Sequence, residues 1–210
     1  MPIGSFEGLE HWQNLMVDAV RRGDSLWQVY HHNQRYNRLD ALLQAVPSLQ
    51  KVFDEATLQA MLLTYVDRTL AIEPNLMLQG HDLPEWLDGQ EAFAEAPWVA
   101  DLVRWDLCMQ RTWLSSTLLA SQGSLRSDVS LLKTVWNWPE WLEGSDLEAL
   151  EAARCFVFFR HNGQIQMERI SEEWWNILLQ LQSSKGDRTV QVLPHTPLSV
   201  WLKERQLIEA

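Results

Sequence analysis

The sequence predicts an α+β protein, a mainly helical N-terminal domain followed by a small β-β-α-β-α module. Three observations carry this. Apolar residues recur at helical spacing through most of the first half of the chain. Between Cys155 and Ile170 the composition turns aromatic and β-branched, CFVFFRHNGQIQMERI, and is broken at Asn162-Gly163, the dipeptide best suited to a two-residue hairpin turn. Charge divides at nearly the same place: residues 1–153 carry a net −12 and residues 154–210 a net +1.

The elements follow in order. Phe6, Leu9, Trp12 and Ala19 share one face of an opening helix over Phe6–Val20, and Arg21, Arg22 and Gly23 stop it. From Leu26 to Val46, Trp27, Tyr30, Tyr36, Leu39, Leu43 and Val46 describe a second helix ended by Pro47. Asn33 interrupts its stripe and is expected to serve packing. Leu58, Met61, Leu62, Tyr65, Val66 and Thr69 mark a third helix, from Asp54 or Glu55 to Ile72. A loop at 74–84 and short turns at LPEWL and EAFAEA precede a strong helix over Pro97–Trp113, with Trp98, Leu102, Trp105, Met109 and Trp113 on its buried stripe.

Residues 115–128 are small and polar enough to connect, and Asp128–Val135 suggests a short helix. After the hairpin, Ser171 caps a helix running to about Gln182, with Glu172 and Glu173 beside the positive end of its dipole. RTVQVL at 188–193 has the composition of a third strand, and Thr196-Pro197 opens a last short helix through Gln206. The domain reading is therefore 1–123 helical, 124–153 a Trp-rich acidic connector, and 154–210 a winged-helix-like module suited to peptide recognition.

Composition excludes several classes. At 46% apolar the chain can bury a real core. No stretch approaches the roughly 20 apolar residues that span a bilayer, and MPIGSFEGLEHWQ has neither a basic nor an apolar signal segment, so the cytoplasm is the expected compartment and no membrane partner is expected. Cys108 and Cys155 form no CxxC or disulfide framework. An acidic body with a nearly neutral tail disfavours nucleic acid, because binding draws on basic side chains that replace phosphate counterions.

No Walker loop, Rossmann glycine fingerprint, nucleophile elbow or HExxH is present, and no catalytic residue, metal ligand or cofactor of its own is assigned to the chain. His31 and His32 are adjacent and diverge by about 100° on a helix, too far to grip one ion. His81-Asp82 reads as a capping junction and His161 as turn surface. The acidic stretch 73–106 reads as a solvated face. Among twelve tryptophans, Trp136, Trp138 and Trp141 crowd a Pro-containing segment, and such aromatic anchors suit either an interface or the packing of a domain junction. Trp174 and Trp175 are adjacent on a helix, so one of them, taken as Trp175, is expected at a partner surface.

A hairpin alone is marginal, and its outer edges expose unpaired N–H and C=O groups. Phe156, Val157, Phe158, Phe159, Arg160, Ile165, Gln166, Met167 and Glu168 are therefore candidate peptide-binding residues by strand addition. The free edge is Cys155–Arg160, Gln164–Ile170 or the strand near Val190.

The runs VYHHNQRYNRLDALLQAVPSLQKVF at 29–53, APWVADLVRWDLCMQRTW at 96–113 and FFRHNGQIQMERISEEWWNILLQL at 158–181 resemble, in order, a family long labelled as a DNA-binding domain. That family includes partner subunits of iron enzymes in peptide natural-product biosynthesis, of the methanobactin and 3-thiaglutamate type. Tyr30, Asn33, Leu43, Pro47 and Phe53 match its helical pattern, whereas His31-His32 stands where Arg-Asn is more usual and Asp106 replaces a common Glu. The resemblance implies a heterodimer with a TIM-barrel enzyme holding two or three irons, which oxidises a cysteine of a ribosomally made precursor peptide. This chain would recruit the peptide, with Trp136, Trp138, Trp141 and Trp175 as candidate partner-interface residues. The competing expectation is a DNA-binding transcriptional regulator; an enzyme acting alone ranks below both.

Overall fold

The computed structural model describes residues 17–18, 25–70, 76, 79–115, 125–183 and 196–208. Among them are seven α-helices and one three-stranded antiparallel sheet, an α+β fold with a helical N-terminal region. The chain forms two compact units, one from Met1–Gln44 and Phe53–Gln79, the other from Ala45–Val52 and Gly80–Ala210.

In the first unit, α1 (Ser25–Ala45) and α2 (Glu55–Arg68) carry the structure. Asp54 caps α2: its carboxylate accepts from the Thr57 N–H at 3.0 Å and the Thr57 hydroxyl at 2.6 Å. Leu58, Leu62, Tyr65 and Val66 form the buried stripe of α2, as their spacing predicts, but the helix ends at Arg68 rather than Ile72. On α1, Leu39 and Leu42 are buried while Tyr36 is 39% exposed, against expectation. Arg38 takes the inward position, and two residues along a helix is a turn of about 200°, which carries Tyr36 outward. Asn33 is likewise exposed. Of the expected opening helix only Val17 and Asp18 are described, both helical.

The second unit is built around the sheet, in the order β1 (Ser130–Trp136), β2 (Ala149–His161), β3 (Gln164–Ile170). Asn162 and Gly163 turn the β2–β3 hairpin, both at positive φ (52° and 76°), the conformation a tight antiparallel turn demands. β2 is central and antiparallel to both neighbours, with Phe158 opposite Ser130 on one side and Met167 on the other. Alternation then sends its residues into two cores. Phe156 and Phe158 meet Trp105 of α4 (Trp98–Leu114) edge-on, with ring centroids 5.4 and 5.1 Å away. Cys155, Val157 and Phe159 join a cluster with Leu178 and Leu181 of α6 (Glu172–Ser183) and Leu198, Trp201 and Leu202 of α7 (Pro197–Glu204). Both faces of the sheet are covered.

Two expectations are corrected here. Residues 128–135 are not helical, because β2 needs a second ladder and SLLKTVW supplies it: Leu132 and Thr134, buried, share a face with Phe156. On α4 the buried face holds Val99, Leu102, Val103, Trp105 and Asp106, while Met109 and Trp113 are 37% and 56% exposed. The stretch 124–153 thus contributes β1 and a short helix, α5 (Trp138–Leu142), to the second unit. Before α4 lie α3 (Leu83–Asp88) and a 3₁₀ turn at Glu91–Phe93, where the sequence places short helical turns.

The predicted caps of the last two helices are present. Ser171 Oγ accepts from Trp174 N–H at 3.2 Å, and Thr196 Oγ1 accepts from Ser199 N–H at 3.2 Å. α7 closes with Gln206 at φ 56°, Gln206 N–H bonding Lys203 C=O and Leu207 N–H bonding Leu202 C=O at 2.9 Å, a Schellman ending. The expected strand at 188–193 lies outside the described residues.

Candidate functional site

The sheet position of each candidate peptide-binding residue follows from the register. Phe156, Val157, Phe158 and Phe159 belong to the central strand, with neighbours on both sides and side chains at most 3% exposed. Their main chain is committed to the sheet, so Cys155–Arg160 is not a free edge. Arg160 is committed too. Its guanidinium donates to the Trp113 and Ser115 carbonyls, completing the C-terminus of α4, where orphan carbonyls attract a cation.

β1 and β3 are the two edge strands of the sheet, and of the candidate peptide-binding strands β3 is the one at an edge. Among the described residues no strand pairs with its outer side. Glu168 is occupied by α7, accepting from Trp201 Nε1 at 2.9 Å and Arg205 Nε at 2.6 Å, and Arg205 stacks over the Trp201 ring. Ile165 and Met167, half-buried, lie on the α4 side of the sheet, and Gln166, exposed, lies on the other. An extended segment laid along this strand would meet a row of main-chain groups fixed by a sheet packed on both faces.

The tryptophans separate by burial. Trp138 is fully buried, its Nε1 donating to Asp101 Oδ1 at 2.6 Å, and the Thr134 hydroxyl donates to the same oxygen at 2.7 Å. One carboxylate in the first turn of α4 thereby ties α5 to β1. As a partner contact Trp138 is corrected to core: a buried indole N–H needs an internal acceptor, and Asp101 provides it. Trp136 and Trp141 flank it, half-buried, at 6.1 and 5.7 Å, and Lys51 lies over the Trp141 ring. Trp174 and Trp175 both pack, partly buried, against the α6–α7 cluster, so adjacency does not send one of them away from the core.

The first unit contains a feature the sequence did not single out, a cleft of about 280 Å³ between α1 and α2, lined by His31, Gln34, Arg35, Arg38, Val66, Asp67, Thr69 and Leu70. Arg38 sits at its base, 7% exposed, and its acceptors among the described residues are neutral: Gln79 Oε1 at 2.6 Å, the Val66 and Thr69 carbonyls at 3.0 and 3.1 Å, and Thr69 Oγ1 at 3.0 Å. It thus finishes the C-terminus of α2 much as Arg160 finishes α4. Arg35 pairs bidentately with Asp67, Nε and Nη2 each 2.6 Å from a carboxylate oxygen. That hydrogen bonding holds the Asp67 carboxyl below the usual carboxylate range and raises Arg35. The only signal in the sequence was Arg35 and Arg38 at i, i+3, which places both on one helix face.

Among the described residues no group of three or more His, Cys, Asp or Glu could hold a metal ion. His31, His32 and His81 are exposed. Asp82 makes no side-chain cap to α3. Cys108 and Cys155 are free and buried; burial pushes the Cys108 thiol up to about 11 and raises that of Cys155. No described helix is long and apolar enough to cross a membrane. No protein-family model matches the chain, and no curated protein gives a significant match to it.

Proposed function

We propose that this chain is a non-catalytic partner subunit that recruits a ribosomally made precursor peptide to a TIM-barrel multinuclear iron enzyme, which carries out oxidative cysteine modification. One observation carries the peptide-binding part: the outer edge of β3, Gln164–Ile170, in a sheet stiffened by helices on both faces. Strand addition there gives main-chain affinity, and the alternating side chains Ile165, Gln166 and Met167 give selection. The enzyme and its irons enter through the sequence resemblance. In this reading the hairpin, α6 and α7 form a winged-helix-like recognition module, and the half-buried Trp136 and Trp141 offer the partner surface.

The test is co-expression with an iron-binding TIM-barrel enzyme from the same source, with hydrogen exchange measured with and without its precursor peptide. Co-purification, and slowed amide exchange confined to Gln164–Ile170 on adding peptide, are expected. Equal modification of the peptide without this chain, or protection elsewhere only, overturns the reading.

A further inference from the structure

The cleft between α1 and α2 holds two guanidiniums and one carboxylate. Asp67 answers Arg35, and among the described residues no carboxylate hydrogen-bonds Arg38, so Arg35, Arg38 and Asp67 together leave one positive charge at a cleft whose base is buried. A buried charge is costly unless an opposite charge or a full set of hydrogen bonds answers it, and an anion gains most where water is partly excluded. Asp67 takes Nε and one Nη2 hydrogen of Arg35, Tyr36 interacts with the same guanidinium, and Arg38 Nη2 gives one hydrogen to Thr69 Oγ1, so each guanidinium keeps N–H groups beyond these bonds; His31 and Gln34 stand on the same lining. Val66 and Leu70 add apolar wall, and about 280 Å³ lies at the small end of ligand pockets.

We propose that this cleft binds a small carboxylate, its two oxygens held by the remaining N–H groups of Arg35 and Arg38. Carboxylate is the favoured chemistry because Arg35 already grips one, Asp67, in the bidentate geometry that suits a guanidinium best. Asp67 is then an internal competitor. This site is independent of the sheet edge and stands or falls separately from peptide recruitment.

The experiment is calorimetric titration of the full chain at low salt with glutarate, with N-acetylglutamate, with an acetylated tripeptide containing one glutamate, and with inorganic phosphate. Saturable binding of at least one carboxylate with Kd of about 1 mM or tighter is expected. Binding by the free acids alone identifies a metabolite-type ligand, and binding by the tripeptide alone identifies an acidic peptide side chain. Asp67→Asn frees Arg35 and should tighten binding severalfold, whereas Arg35→Gln should weaken it at least tenfold. A purely structural Arg35–Asp67 pair predicts no gain from Asp67→Asn. Absence of saturable carboxylate binding, phosphate binding as tightly as the carboxylates, or an unchanged affinity in Asp67→Asn overturns the proposal.

Discussion

Asp106, in the middle of α4, accepts two hydrogen bonds from Ser48: one from its N–H at 2.8 Å and one from its hydroxyl at 2.7 Å. Ser48 lies in the 3₁₀ turn Pro47–Lys51, which has no cap of its own, so a helix far along the chain supplies the missing acceptor. The carboxyl is 6% exposed, and burial raises its pKa from 3.8 to about 6 despite both bonds.

This fixes a pH dependence. The folded state holds the proton that the unfolded chain has released, so the contribution is fully present below pH 3.8 and is lost as pH rises to about 6. The gap is worth about 3 kcal/mol. Urea unfolding of the protein and of Asp106→Asn across this window should show stability falling in the former relative to the latter, with a constant difference above it.

Asp128 should behave oppositely. Its side chain is fully buried, receives Nε and Nη2 of Arg126 at 2.6 Å each and accepts from Arg160 N–H at 2.9 Å. These bonds outweigh burial and hold its pKa below the carboxylate range, so its stabilisation is present above that range and is lost as pH falls through the folded value. Asp128→Ala strands a partly buried Arg126 and should cost about 3 to 5 kcal/mol by denaturant unfolding.

Trp138 and Trp113 are a matched pair for separating core from surface. Trp138→Phe removes the donor to Asp101 and should cost about 1 to 3 kcal/mol. Trp113→Ser, at a side chain 56% exposed, should stay within about 0.5 kcal/mol. Thermal melts of the two variants check both.

Gln206 occupies the left-handed position that ends α7, where glycine fits without a side-chain clash. Gln206→Gly should raise stability by up to about 1 kcal/mol, and Gly163→Ala, at φ 76°, should lower it by about 1 kcal/mol. Melting temperatures moving in opposite directions are the expected readout.

Local signals were legible in the sequence where local chemistry decides the structure. Asn162-Gly163, Ser171, Thr196-Pro197 and Asp54 each act within a few residues of themselves, and each stands where its chemistry puts it. β1 was not legible, since SLLKTVW fits either period and only pairing with a strand some twenty-five residues later makes it extended. The same holds for Trp138 and Arg38: the partners that decide their burial, Asp101 and the end of α2, are distant in sequence. For the candidate sites, the hairpin was visible, but which strand lies outermost depended on β1. The cleft gave only an arginine pair.

The double burial of β2 governs the order in which the molecule can be made. CFVFF emerges from the ribosome before α6 and α7 exist, and it is a short, uncharged, strand-forming apolar run. Until Trp201 arrives to meet Phe159, one side of that run is naked to other chains. Removing the last helix would therefore uncover one side of that run, and greater self-association by light scattering is the expected outcome.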